Sequence, residues 1–290
     1  MTVIENKART RVVGLVALLM YLAGLFTMQD FAEFRVLFHE GCVGQTCGFT
    51  WPAGLSTLST VLRMARTLLC GVLVLWIRPD LWLDQKDRTR LLIAFAFAAL
   101  GDFFLIFGGT LPGGIEIVPP GQAFMMGVAA FLVCHGVLIW RHLVSFADFR
   151  SDLQRPGVAP KVWGLLAASF VPTIAAVVLT WPYLKPAMDL PYMLILTLSL
   201  WMALTVIPRK DDFPRVNRAL IAGGLGFFYL CDVCLGLGVR LQDAMPLASE
   251  WIGQVPNLSY SWALIALALS GYNWLALMGR EEDDNPALSA

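Results

Sequence analysis

Two aspartates stand in stretches of the chain that are otherwise apolar. Asp102 lies in ALGDFFLIF (residues 99–107), and Asp232 lies in GFFYLCDVCLGLG (residues 226–238). A carboxylate at the centre of a membrane helix costs roughly 2.5–3.5 kcal/mol, so such residues face a partner or a wet cavity. Two carboxyl groups in one low-dielectric cavity can perform acid–base chemistry, because one can donate a proton while the other stays ionised and activates water.

Two arginines, Arg63 and Arg66, interrupt another apolar stretch. At about 1.5 Å per residue, Asp102 and Asp232 are expected roughly 16 and 20 Å from the inner ends of their helices. The arginines are expected about 10–15 Å from the outer end of theirs. In a hydrocarbon core about 30 Å thick, all four groups share one layer. We therefore expect a polar cluster, which is either a functional site or a buried ion-pair network that fixes helix register.

The composition is that of a membrane protein. The chain has 290 residues, of which 58% are hydrophobic and 14% charged, whereas soluble domains carry about 25% charged residues. Apolar runs of about 20 residues predict an all-α, polytopic membrane helical bundle. We expect one domain over residues 1–290, with eight transmembrane helices at residues 12–28, 56–77, 91–110, 120–140, 163–181, 190–208, 219–239 and 256–279.

The basic residues give the orientation. Of the 21 Lys and Arg residues, 16 fall on one side of the predicted membrane, and only Arg35, Lys185 and Arg240 fall on the other. By the positive-inside rule, both termini are cytoplasmic. We expect a multi-pass integral protein of a bacterial plasma (inner) membrane that contacts membrane lipids, and the basic face implies no nucleic-acid partner.

The cysteines fall into two groups. Cys42 and Cys47 lie in the predicted outer loop, where an oxidising compartment could join them, and they are the disulfide candidate. Cys231 and Cys234 form a CxxC inside an apolar helix, where small packing residues are the ordinary interpretation. We expect no metal site and no cofactor.

Four segments occur in an order that resembles a known family: LGDFFL, FMMGVAAFLVCHGVLIW, YMLILTLSLWMAL and GGLGFFYLCDVCLGLG. They are similar to the lysoplasmalogenase (YhhN-like) integral membrane proteins, which have eight spans. The resemblance covers about residues 55–275. The residues that match the family pattern are Gly101, Asp102, Gly127, Phe131, His135 and Asp232.

The resemblance implies hydrolysis of the vinyl-ether bond of a lysoplasmalogen, a lysophospholipid substrate, to a fatty aldehyde and a glycerophospho-alcohol. Asp102 and Asp232 would be the catalytic pair, because protonation of the alkene carbon not bonded to oxygen leaves an oxocarbenium ion that water captures. Arg63 or Arg66 would hold the substrate phosphate or act as counter-charges to the acids.

Three further residues are candidates for the site. His135, about 10 Å from the acid layer by depth along its helix, is expected either to take part in function or to fix its helix by a hydrogen bond. Tyr229, one turn before Asp232, and Tyr260 could donate hydrogen bonds to the acids, or could be interface or packing tyrosines.

Three other classes of protein fit parts of the sequence. A proton-coupled transporter or receptor-like bundle also places Asp and Arg in mid-membrane, and broken helices at Pro172 or the Gly-rich start of the seventh span would indicate it. An intramembrane aspartyl protease uses two membrane aspartates, but LGD lacks the first Gly of its usual Gly-x-Gly-Asp. A lipid hydrolase that acts on another bond would use the same residues.

Overall fold

The computed structural model describes residues 14–16, 18–19, 53–76, 85–108, 110–111, 115–143, 149–151, 153–209, 213–242, 244–272 and 274. Within these ranges the protein is a bundle of seven long helices. They are α1 (Ala53–Trp76), α2 (Gln85–Phe107), α3 (Pro120–Leu143), α4 (Ala159–Thr180), α5 (Pro186–Thr205), α6 (Arg215–Leu241) and α7 (Pro246–Leu269).

The helices α1 to α7 overlap the second to eighth predicted spans. Residues 14–16 and 18–19 are helical and fall in the first predicted span. The rest of that span lies outside the described residues, as do Cys42 and Cys47, so the predicted disulfide stays a prediction.

Four helical segments are long and apolar enough to cross a membrane: Gln85–Phe107, Gln122–Leu143, Ala159–Tyr183 and Arg215–Gly238. A shorter apolar helix covers Asp189–Thr205. These segments are those of a helical membrane protein.

One face of α4 is apolar and uncovered. Val171, Ile174 and Val178 recur on this face at helical spacing, and each is more than half exposed. Trp163 and Trp181 are also exposed and lie at its two ends. Their separation of 18 residues corresponds to about 27 Å of helix, close to the thickness of the hydrocarbon core. The position of the two indoles is that of the aromatic belts at membrane interfaces.

Gly108 ends α2. Its φ of 58° lies in the left-handed region, and its N–H donates to the carbonyl of Phe104 at 3.0 Å, as at many helix C-termini. A two-strand antiparallel hairpin follows, with β1 (Thr110–Leu111) paired to β2 (Ile115–Glu116). It is the one departure from all-α structure in the described ranges, and hydropathy could not reveal it because each strand has only two residues.

Two glycines of the family pattern let α2 and α3 pack closely. A Cβ atom on Gly101 would lie 2.6 Å from Cε2 of Phe131, and one on Gly127 would lie 3.3 Å from the carbonyl oxygen of Gly101. Such separations are too short for a side chain without movement of the neighbour. The pattern residues Gly101, Gly127 and Phe131 therefore share one helix-packing interface.

We expect Gly101→Ala to destabilise the protein by about 1–3 kcal/mol, the usual range for overpacking. The Phe131 ring is held by edge contacts with Phe228 and Tyr260, so it has little freedom to move away from a new methyl group. Thermal unfolding in detergent measures the effect. Gly136→Ala in α3 is the control, since nothing lies within 4 Å of its Cβ position. An equal melting temperature for Gly101→Ala and wild type would contradict this view of the interface.

An ion pair joins the ends of four helices on the predicted cytoplasmic side. Arg141 of α3 donates from Nε and Nη2 to the two carboxylate oxygens of Asp87 in α2, at 2.7 and 3.0 Å. Its Nη1 donates to the Ser270 hydroxyl, just after α7, at 2.8 Å. Asn217 of α6 donates to the carbonyl oxygens of Ser270 and Tyr272. Arg141 is only 2% exposed. Asp87 lies 15 residues before Asp102 on the same helix, or about 22 Å along its axis, so we interpret the network as structural and separate from the two membrane aspartates.

Candidate active site

Asp102 lies on α2 and accepts hydrogen bonds from two other helices. The Thr67 hydroxyl of α1 donates to its Oδ2 atom, and the Tyr260 hydroxyl of α7 donates to the same oxygen at 2.9 Å. The residue is 5% exposed. A carboxyl group so buried needs such donors, because burial of an unsatisfied polar group is costly.

Asp232 lies on α6 and is bonded from two different helices. Its Oδ2 atom is 3.2 Å from Nε2 of His135 on α3, and it accepts a hydrogen bond from the Tyr192 hydroxyl of α5 at 2.9 Å. It is 8% exposed. Each aspartate is thus fixed by two side chains from its surroundings, and the two sets share no residue.

His135 links Asp232 to a serine deeper in the bundle. Its Nδ1 atom is 3.1 Å from the hydroxyl of Ser199 on α5, and its ring packs edge-on against Phe228 at 4.6 Å. The separation of about 10 Å that helix depth predicted between His135 and the acids was wrong. Depth along one helix neglects tilt and the reach of the imidazole across to α6.

The two arginines of α1 lie beside the acids. Arg66 donates to the Ser261 hydroxyl at 2.9 Å, and its guanidinium lies 4.6 Å from the centre of the Tyr260 ring, in a cation–π contact. The Nε atom of Arg63 is buried and has no hydrogen-bond partner among the described residues.

A cavity of about 380 Å³ brings these groups together. Asp102, Asp232, Arg63, Arg66 and Tyr260 all line it. Much of its remaining wall is apolar and comes from α2, α3, α5 and α6, with Leu105, Ile106, Phe124, Val128, Met193, Leu196 and Leu235 among the lining residues. It reaches the ends of α5 and α6 at Asp189 and Arg240. The cavity therefore combines a largely apolar wall with carboxylate and guanidinium groups.

Tyr229 does not contact either acid in the way that its position one turn before Asp232 predicted. Its hydroxyl is 2.6 Å from Thr173 Oγ1 on α4, which in turn lies 2.7 Å from Thr197 Oγ1 on α5. Residues three apart on a helix are rotated by about 60°, enough for the two side chains of α6 to face different neighbours. Tyr192 makes the contact with Asp232 instead.

Three aromatic rings lie between the two sets of hydrogen bonds. Phe228 packs edge-on against Tyr260 at 5.4 Å and against Phe131 at 6.0 Å. Because Tyr260 bonds to Asp102 and Phe228 packs on His135, this cluster connects the surroundings of the two aspartates. Phe131 and Tyr260 of this cluster also line the cavity.

The cysteines of the described ranges are free thiols. Cys70, Cys134 and Cys231 are buried, and Cys234 is partly exposed. No three His, Cys, Asp or Glu side chains of these ranges are grouped so that they could hold a metal ion. Cys231 contributes to the cavity wall.

The model of the YhhN family matches residues 58–271 of the chain, which is well over half of its 290 residues. The chain belongs to the YhhN family. This is the family that includes lysoplasmalogenases. No curated protein and no solved structure matches the chain.

The YhhN match includes all seven helices in part or whole. The structure gives each residue of the family pattern a distinct place. Asp102 and Asp232 line the cavity. His135 is not among the lining residues but contacts Asp232. Gly101 and Gly127 make room for Phe131 and Leu105, respectively.

Sequence reasoning missed four partners of the charged groups: Thr67, Tyr192, Ser199 and Ser261. A signal existed for two of them. Thr67 follows Arg63 by four residues, so both lie on one face of α1. Tyr192 begins the YMLILTLSLWMAL segment that carries the family resemblance. Ser199 and Ser261 are small hydroxyls in apolar helices, and only the packing of the helices distinguishes them from other serines.

Proposed function

We propose that this YhhN protein is a membrane hydrolase that cleaves the vinyl-ether bond of lysoplasmalogens. The observation that carries the proposal is that Asp102 and Asp232 line one cavity together with Arg63 and Arg66. Family membership supports the same activity. A pair of carboxyl groups at one cavity is the arrangement that acid-catalysed cleavage and water activation require.

The chemistry proceeds in three steps that balance without a co-reactant other than water. One aspartic acid protonates the alkene carbon of the vinyl ether that is not bonded to oxygen, which leaves an oxocarbenium ion. The other aspartate stabilises this cation and takes a proton from the attacking water, as the carboxylate pair of a glycosidase does. The hemiacetal then breaks its bond to the glycerol oxygen. That oxygen takes the proton that the second aspartate accepted, and the hemiacetal hydroxyl gives its proton to the first, which yields a fatty aldehyde and a glycerophospho-alcohol and restores the pair.

The surroundings of the acids suit this chemistry. Tyr192 and Tyr260 hold one oxygen of each carboxyl group in place, at 2.9 Å in both cases. His135 positions Asp232 and is itself held by Ser199. Such fixed contacts orient the carboxyl groups before substrate enters, and this limits reorganisation during the reaction.

The cavity size favours a lysolipid over a lipid with two chains. Its volume of about 380 Å³ lies near the lower limit of ligand sites, which span roughly 300–1,000 Å³. The apolar wall suits one alkenyl chain, and the arginines suit a phosphate, since a guanidinium can donate two parallel hydrogen bonds to it.

The topology that we propose has eight spans with both termini in the cytoplasm of a bacterial cell. The 16 basic residues on one side support it, as does the overlap of α1 to α7 with seven predicted spans. We expect cysteines introduced in the 209–217 loop to react with a membrane-impermeant thiol reagent only after the cells are opened. Labelling of that loop in intact cells would contradict the eight-span topology.

A transporter with broken helices finds less support. The two segments expected to break in such a protein are continuous, since α4 runs through Pro172 and α6 includes the Gly-rich stretch. Unwound segments are what discontinuous transporter helices use to bind ions and substrates.

A lysolipid panel tests the proposed activity. Purified protein is incubated with matched lysolipids that carry a vinyl-ether, an alkyl-ether or an acyl link, and the products are identified by mass. We expect a fatty aldehyde from the vinyl ether and no product from the alkyl ether. Release of a fatty acid from the acyl lipid, without aldehyde from the vinyl ether, would replace this proposal with another lipid hydrolase.

A further inference from the structure

The cavity ends at a charged pair that the acid–base chemistry does not use. Arg240 of α6 donates from Nε and Nη2 to the two carboxylate oxygens of Asp189 on α5, at 3.0 and 2.7 Å. The backbone N–H of Lys185 also donates to Asp189, at 2.7 Å. The side chains of Arg240 and Asp189 are 16% and 14% exposed, and both line the cavity. The pair is therefore within reach of a ligand inside it.

Arg240 lies on the same face of α6 as Asp232. The two residues are eight apart, which corresponds to about 12 Å along the helix axis, and Gly236 lies midway between them on the cavity wall. A Cβ atom on Gly236 would meet nothing within 4 Å. The space between the acid and the arginine is therefore open.

Arg63 provides a second guanidinium at an intermediate level. It precedes Thr67, which bonds to Asp102, by one helical turn, or about 6 Å along α1. Its Nε atom is buried and has no hydrogen-bond partner among the described residues. Arg63 lines the cavity, so its guanidinium is placed to bind an anion there.

The charged side chains on the cavity wall can be balanced by one further negative charge. Three arginines and three aspartates line the cavity: Arg63, Arg66, Arg240, Asp102, Asp189 and Asp232. The proposed reaction begins with one catalytic acid protonated, so the wall then carries one excess positive charge. A phosphodiester has a single negative charge and would balance it.

The length of the substrate fits this spacing. In a lysoplasmalogen about seven bonds join the alkene carbon that is protonated to phosphorus, and an extended chain advances about 1.2 Å per bond. The two groups are then about 8 Å apart. Hydrogen-bond reach of about 3 Å at each end extends the span to the scale of the distance between Asp232 and Arg240.

We propose that Arg240 and Arg63 form the subsite for the phosphate of the lysolipid, and that Asp189 occupies Arg240 until substrate displaces it. This inference rests on the proposed function for the identity of the lipid. The planar guanidinium of Arg240 exchanges one bidentate carboxylate for one bidentate phosphate, which are equivalent in geometry. Only a ligand whose anionic group lies at the correct distance from the acids can replace Asp189 on Arg240.

Two substrates separate phosphate binding from the rest of the site: an alkenyl lysophospholipid, and the alkenylglycerol that lacks the phosphate. With Arg240→Gln we expect KM for the lysophospholipid to rise about ten- to hundred-fold, the size of lost charge-assisted hydrogen bonds. We expect its kcat, and both constants for alkenylglycerol, to stay close to wild type. Asp189→Asn should lower KM for the lysophospholipid, because it weakens the competitor for Arg240.

The matched control is Lys185→Gln, which removes a positive charge at the same end of the molecule from an exposed residue that does not line the cavity. Its KM should match wild type. Arg240→Lys keeps the charge but loses the planar fork, so it should raise KM for the lysophospholipid several-fold even if the Gln variant folds poorly. Equal losses on both substrates, or a raised KM in Asp189→Asn, would make the pair merely structural and overturn the proposal.

Binding measurements keep this proposal distinct from the proposed reaction. The probes are an uncleavable alkyl-ether lysophospholipid and the corresponding alkylglycerol. If wild type cleaves no vinyl ether but Arg240→Gln weakens binding of the phosphate-bearing probe alone, the reaction is wrong and the subsite is supported. If wild type cleaves vinyl ethers and the Arg240 variants bind and turn over both lipids normally, the subsite is wrong.

Discussion

Replacement of Asp102 or Asp232 by Asn is expected to reduce turnover by about 10²–10⁴-fold for each residue while the protein stays folded. Asn has the shape of Asp, and its amide oxygen can accept the hydrogen bonds that the carboxylate accepts now. For Asp102 the donors are Thr67 and Tyr260. What Asn lacks is the ability to donate a proton to carbon or to take one from water.

The double variant should be little worse than either single variant, because the two acids act as a unit. Melting temperature and aldehyde release, measured on the same preparations, decide between a catalytic pair and a pair that fixes helix register. The register alternative expects a sharp loss of folded protein in each single variant. Normal aldehyde release by either single variant would end the catalytic interpretation.

Asp87→Asn is expected to leave the chemistry intact but to destabilise the folded protein by about 3–5 kcal/mol. It removes the charge that the buried Arg141 guanidinium binds through two hydrogen bonds, and it leaves that cation in a protein interior. Since net stabilities are about 5–15 kcal/mol, this loss is a large fraction of the total. The melting temperature in detergent and the yield of monodisperse protein measure this loss.

A second variant shows whether the loss arises from the stranded charge. When Asp87 and Arg141 are replaced together by Leu and Met, the cost should largely disappear, because an apolar pair often replaces a buried ion pair without penalty. Vinyl-ether turnover per folded molecule should match wild type in both variants. A double variant as unstable as Asp87→Asn would contradict the assignment of the loss to a stranded charge.

The helices were predictable because a membrane-spanning helix requires about 20 consecutive, mostly apolar residues. Apolar runs marked the positions of α1 to α7. Asp102, Asp232, Arg63 and Arg66 were recognisable as charged residues within those runs. Their common depth predicted that they would cluster if their helices were neighbours, and all four line one cavity. Hydropathy reports only how apolar a segment is, so a hairpin of two-residue strands between α2 and α3 left no trace in it.

The partners of the acids were less predictable, because lateral neighbours depend on which helices touch. The sequence predicted Tyr229 as a donor to the acids, but the rotation of α6 and the position of α5 give the contact with Asp232 to Tyr192. The sequence did not reveal the contact of His135 with Asp232 for a related reason, since this side chain reaches from α3 to α6. Asp189 and Arg240 were hidden because charged residues near helix ends are ordinary.

The two aspartates meet their partners at different times during synthesis. Chains are made from the N-terminus, so His135 and Tyr192 already exist when Asp232 emerges from the ribosome. Asp102 emerges 158 residues before Tyr260, and only Thr67 precedes it. α2 therefore enters the membrane with a carboxyl group whose second donor has not yet been made. The hydroxyl of Thr67 on the preceding helix gives the nascent chain a way to shelter that group until α7 arrives.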